Sequence, residues 1–157
     1  MKVFLSSYLG ASKSQRTPQF TEAFFDSEYI LETFYNLRST SNAECLPLFL
    51  NFKGDFILDS GAFTFMNNKG TKIRNFERYL EEYIDFINKY DIKYFFELDV
   101  DSIVGYDEVL RMREKLENGT NKKCIPVWHI SRGLEEYVKM CQEYDYASVG
   151  GDSNQGN

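Results

Sequence analysis

The chain has 157 residues, 43% of them hydrophobic and 27% charged, and its 14 Phe and 11 Tyr help lift the aromatic share to 17%. That length suits one domain able to hide roughly 70% of its unfolded surface, and the composition argues against disorder over most of it. A formal charge of −6 leaves no broad basic surface for phosphates, so this segment alone is not expected to bind a nucleic acid.

The opening Met1-Lys2-Val3-Phe4-Leu5-Ser6-Ser7 has too short an apolar run for a signal peptide, and nothing approaches the ~20 apolar residues of a membrane helix. A cytoplasmic protein without membrane contact is expected. Cys45, Cys124 and Cys141 form no Cys-x-x-Cys pair and sit in apolar-periodic stretches, which predicts reduced, buried thiols.

In chain order, Val3 to Leu5 reads as a first buried strand, and Ile30, Leu31, Phe34 and Leu37 as a helical stripe. Phe56 to Leu58 is a second strand. Asn75 to Lys89 then carries Phe76, Tyr79, Leu80, Tyr83, Ile84 and Ile87 on one helical face behind an Asn75 cap. Tyr94 to Leu98 is a third strand, followed by a stripe of Val109, Met112 and Leu116 with Gly119 as its stop signal. Cys124 to Val127 is a fourth strand, Leu134, Tyr137, Val138 and Cys141 a further stripe, and Tyr146 to Val149 a fifth strand.

Such alternation predicts an α/β fold with a parallel sheet and right-handed crossovers, either doubly wound or barrel-like. The first strand lacks a glycine-rich phosphate loop, and polar residues recur just past the strand ends, both of which favour a (β/α) TIM-type barrel. Eight units take about 250 residues, so 157 hold about five and predict a partial barrel over residues 1–151, with a polar, disordered tail at 152–157. Two open strand edges then predict marginal stability or association into a homo-oligomer.

Ligands of parallel α/β folds bind beyond the carboxyl ends of the strands. Those positions here hold Asp59-Ser60-Gly61-Ala62-Phe63, Glu97-Leu98-Asp99-Val100-Asp101, Trp128-His129 and Gly150-Gly151. Asp59, Asp99, His129 and Gly150 are therefore expected around one opening. Asp59 suits either an Asx cap of the following turn or a functional carboxylate, and Gly61 allows a sharp turn and close ligand approach. Glu97, Asp99 and Asp101 share one strand face, a costly arrangement unless that face meets solvent or ligand. Asp101 also fits a loop cap and Glu97 an internal partner to a buried Lys or Arg. His129 reads as a base, a ligand or a hydrogen-bonded structural histidine; without a matching cluster it does not indicate a metal. Trp128 reads as packing that needs an N–H partner, and the amides of Ser131-Arg132-Gly133 suit an anion.

The order of these motifs resembles the tRNA-guanine transglycosylase superfamily, including its phage and bacterial members that place 7-deazaguanines in DNA. Ile57-Leu58-Asp59-Ser60-Gly61-Ala62-Phe63 resembles the family's Asp-Ser-Gly-Gly-aromatic signature, with Ala62 in place of the second glycine. Phe96-Glu97-Leu98-Asp99 resembles the strand that ends in its base-reading aspartate, and Tyr146-Ala147-Ser148-Val149-Gly150-Gly151 its strand ending in glycines. Ile125-Pro126-Val127-Trp128-His129 stands where the family has Val-Gln-Gly. The resemblance covers residues 50–151 and implies base exchange of guanine for a 7-deazaguanine without a cofactor. Asp59 would be the acid/base group. Asp99, Phe63, Ser60, Gly61, Trp128, His129, Gly150 and Gly151 would bind the base. The family's nucleophilic aspartate and its zinc site have no counterpart before Asn157, so a truncated product is expected, with tRNA or DNA engaged only after completion by further sequence or a partner chain. The alternatives are a non-catalytic barrel fragment that holds a purine-like base, and an unrelated barrel lyase or hydrolase that uses Asp59, Asp99 and His129 with a divalent metal.

Overall fold

A computed structural model describes residues 2–67 and 75–151, apart from the side chains of Phe63, Met66 and Asn67. The expected polar tail at 152–157 lies outside the described residues.

Strands β1 (Leu5–Ser6), β2 (Tyr29–Thr33), β3 (Asp55–Asp59) and β4 (Tyr94–Phe95) form a parallel sheet in sequence order, with Ile30 opposite Phe56, Thr33 opposite Asp59 and Leu58 opposite Phe95. A parallel bridge between Phe96 and Ile125 carries the succession on to β5 (Val127–Trp128), which pairs with β6 (Ser148–Val149). Every strand thus neighbours the next one in sequence, and the order never reverses among the described residues. Their carboxyl ends all point to one side, where Glu32, Asp59, Asp99 and His129 lie.

Strand β2 corrects the sequence reading, which put Ile30 and Leu31 on a helix and counted five strands where the described residues form six. Tyr29-Ile30-Leu31-Glu32-Thr33 is rich in β-branched and aromatic residues, and Ile30 and Glu32 are buried alternately along it. The strand runs straight into the one-turn helix α2 (Phe34–Leu37), capped by the Thr33 hydroxyl, which accepts from the Asn36 N–H. The junction of two periods imitates one helical stripe, and Glu32 interrupts the apolar run that marks a strand.

Helices α1 (Pro18–Phe25), α3 (Leu46–Leu50) and the short α4 (Ala62–Asn67) fill the early crossovers. Helix α5 (Phe76–Lys89) begins where Asn75 accepts from the Arg78 N–H, and it buries Tyr79, Leu80, Tyr83 and Ile87. Past the single turn α6 (Asp101–Val104), helix α7 (Tyr106–Thr120) buries Val109, Met112 and Leu116. Its stop is Asn121, which adopts the left-handed conformation at φ +53°, and not the expected Gly119. Gly119 lies inside the helix, where a side chain would press on Ile84 of α5 at about 3.0 Å. The core lies between the sheet and these helices. Its aromatic weight is visible around Phe34, whose ring sits 5.1 to 5.3 Å from those of Tyr79, Tyr83 and Phe86.

Helix α8 (Leu134–Glu143) departs from expectation. Only Met140 is buried, while Leu134 is 69% and Val138 47% exposed, and Cys141 is exposed, against the reading of three buried thiols. The helix meets β5 through Tyr137, whose ring lies 5.1 Å from that of Trp128, and its Leu134 face stays exposed. Among the described residues, no helix is long and apolar enough to cross a membrane.

Candidate functional site

Asp59 ends β3, and its Oδ1 accepts from the Gly61 N–H at 3.2 Å, so it does cap the turn. Gly61 takes φ +66°, and a Cβ there would lie 2.6 Å from the Tyr35 Cβ, so both conformation and space require glycine. From α5, the Tyr79 hydroxyl donates to the Ser60 carbonyl at 2.6 Å, and the Tyr83 hydroxyl is shared between the carbonyls of Leu58 and Phe96. Burial pushes both phenols well above their ordinary range. The strand ends are thereby pinned from the helix side, which leaves their last side chains to be set by each other.

Burial holds the Asp59 carboxyl above the usual carboxylate range; the Gly61 N–H opposes this, and the Asp99 and Glu32 carboxylates add to it. Glu32 is the residue that sequence reasoning missed. It is fully buried at the end of β2 and accepts from the Leu9 N–H (2.8 Å), the Thr33 N–H (2.9 Å) and the Asn36 side-chain amide (3.0 Å), so it ties the loop after β1 to this rim. The available signal was positional, since Glu32 ends an apolar alternation just as Asp59 does.

The next strands bring Asp99 and His129 into contact. His129 Nε2 lies 2.8 and 2.9 Å from the two Asp99 oxygens. Gly150 donates its N–H to the Trp128 carbonyl at 2.8 Å, and any Cβ on it would fall 2.4 Å from the His129 ring carbon Cε1, so the imidazole rests on a position that only glycine allows. Asp59, Asp99, His129 and Gly150 therefore share one end of the sheet. Ser60 is buried beneath Asp59, and Gly151 is exposed at the rim. Trp128, the neighbour of His129 along the strand, turns instead to α8 and donates to the Gly133 carbonyl at 2.8 Å. The side chain of Phe63, expected to help bind the base, lies outside the described residues.

Glu97 and Asp101 are engaged by arginines. Glu97 is buried, accepts from Arg113 Nε at 2.6 Å and from the Val127 N–H at 2.7 Å, and is raised by burial against the pull of those partners. Arg132 donates from Nε and Nη2 to Asp101 at 3.0 and 2.8 Å and from Nη1 to the Val127 carbonyl, and its Nη2 stands 3.4 Å from Asp99. Asp99, Asp101 and His129 each offer a ligand atom within 4.8 Å of the others, a grouping able to hold a cation, although the Arg132 guanidinium already lies on both carboxylates. Chemically, the rim offers a carboxyl biased toward its protonated form beside a carboxylate fixed by an imidazole.

No protein-family model, curated protein or solved structure matches the chain.

Proposed function

We propose that this rim binds a guanine-like base, guanine or a 7-deazaguanine, and that the chain forms the first part of a TIM-type (β/α) barrel of the tRNA-guanine transglycosylase kind. The unbroken sequence order of its parallel strands supports the barrel, because a doubly wound sheet reverses its order at a switch point. The observation that carries the functional reading is the pair of unlike carboxyls at neighbouring strand ends, Asp59 raised by burial and Asp99 clasped by His129. Asp99 accepts the N–H donors along the base edge as a charge-assisted pair. Asp59, retaining its proton more readily than an ordinary aspartate, suits proton transfer at the glycosidic bond better than attack on the sugar carbon. Ser60, Gly61, His129, Gly150 and Gly151 surround the base. In this reading these residues supply recognition and a proton, and attack on the sugar carbon is not their part in base exchange.

Calorimetric titration with guanine and 7-deazaguanines tests this reading: heat is expected with the native chain and its loss with Asp99→Asn. No heat, or heat unchanged by the substitution, removes it. Incorporation of labelled guanine into tRNA or DNA by this chain alone would instead make Asp59 the nucleophile. A metal-dependent barrel lyase or hydrolase is the second reading, favoured by the Asp99, Asp101 and His129 grouping, and saturable Mn2+ binding abolished by Asp101→Asn would support it.

A further inference from the structure

We infer that Arg132 is the positioning residue of this rim, fixing Asp99 and through it the tautomer of His129. The loops after β4 and β5 are built alike. Each makes one short helical turn and closes on a glycine of nearly the same conformation, Gly105 at φ +84°, ψ 158° and Gly133 at φ +79°, ψ 156°, and a pair of acidic residues follows in the first turn of the next helix. Only the second loop puts an arginine before its glycine, where the first has Val104. That arginine does not extend into solvent. Its side chain is 3% exposed and turns back across the neighbouring loop, with its guanidinium 4.4 Å over the Tyr106 ring, whose hydroxyl in turn donates to Glu136 at 2.5 Å.

Desolvating a guanidinium is costly unless several acceptors meet it. Arg132 meets three carboxylates spaced two residues apart on the exit of β4: Asp101 at 2.8 Å, Asp99 at 3.4 Å and Glu97 at 3.5 Å. The Asp99 oxygen it approaches is one that His129 Nε2 meets at 2.8 Å. Two donors on one oxygen fix the plane of the carboxyl, and a carboxylate that faces Nε2 requires the imidazole proton on that nitrogen. Among the described residues, His129 and Arg132 meet Asp99 from the β5 side, and Asp59 of β3 lies close enough for the two carboxylates to act on each other. Arg132 acts through Asp99 and makes no claim on the base itself. The binding arm of its test rests on the proposed base reading, whereas the tautomer arm does not.

Because the chain holds one histidine, a long-range 15N correlation spectrum of the ring reports His129 without assignment. With the ring neutral, the native chain is expected to show the Nε2–H tautomer, Arg132→Met a mixture, and Asp101→Asn a smaller move in the same direction. Lys139→Met, an equal loss of charge on the exposed side of α8, should leave the ring signals unchanged. Guanine affinity should fall roughly tenfold or more in Arg132→Met, the scale of a charged hydrogen bond. Ring signals unchanged in a folded Arg132→Met, or guanine affinity unchanged in it, would overturn the inference. If that variant fails to fold, the ring signals of Asp101→Asn decide. A native chain that binds no guanine but whose tautomer shifts on Arg132→Met retains the positioning role and loses the base reading.

Discussion

Helices α5 and α8 look alike as sequences and are used in opposite ways. Both carry an apolar stripe at helical spacing, yet α5 buries Tyr79, Leu80, Tyr83 and Ile87, while α8 buries Met140 and leaves Leu134 and Val138 to solvent. The contrast extends to their strands: Leu58 and Phe95 are fully buried, whereas Val149 of β6 is 62% exposed. Periodicity reports which residues share a face, and whether that face is covered depends on neighbours that no local pattern contains. The two regions are joined at Glu97, which bonds Arg113 of α7 and the backbone of β5.

The sharpest way to break the comparison is at that join. Glu97→Ala should destabilise the chain by about 3 to 5 kcal/mol in denaturant unfolding, since it strands a buried guanidinium; a change near zero would mean that the regions are held elsewhere. Leu80→Ala should cost about 2 to 5 kcal/mol by opening a cavity in a fully buried position. Tyr83→Phe should cost about 1 to 2 kcal/mol, because the Leu58 and Phe96 carbonyls would share no donor from α5. The matching substitution in the open region, Leu134→Ala, should stay within about 0.5 kcal/mol, and an effect equal to that of Leu80→Ala would show that α8 is covered in solution. The smallest effect is the pH dependence of Asp59. Its folded-state pKa is raised, so its penalty is absent below the ordinary carboxylate range and grows as pH rises through the folded value. Asp59→Asn, which keeps an oxygen for the Gly61 N–H, should therefore melt higher than the native chain at neutral pH and equal it in acid.

The rim was legible in part. Asp59, Asp99, His129 and Gly150 stand out because each follows a short apolar run, and placement past a strand end is a property of the chain itself. Glu32 was missed despite its similar position, because its strand joins a helical turn directly and the two periods merged. Gly150 drew notice for its place past a strand end, whereas its tightest constraint is the His129 ring lying on it, a contact between separate strands.

What the sequence by itself determined is the alternation of strands and helices, the Asn75 cap, the stripes of α5 and α7 and the polar residues past the strand ends, since each depends on neighbours within a few positions. Only the tertiary structure decided that Arg132 turns inward onto three carboxylates, that Asp99 faces His129 rather than solvent alone, and that the apolar face of α8 lies open. Those outcomes join residues some 30 positions apart, and their energies depend on burial and on the distance between charges, quantities that exist only once the strands are side by side.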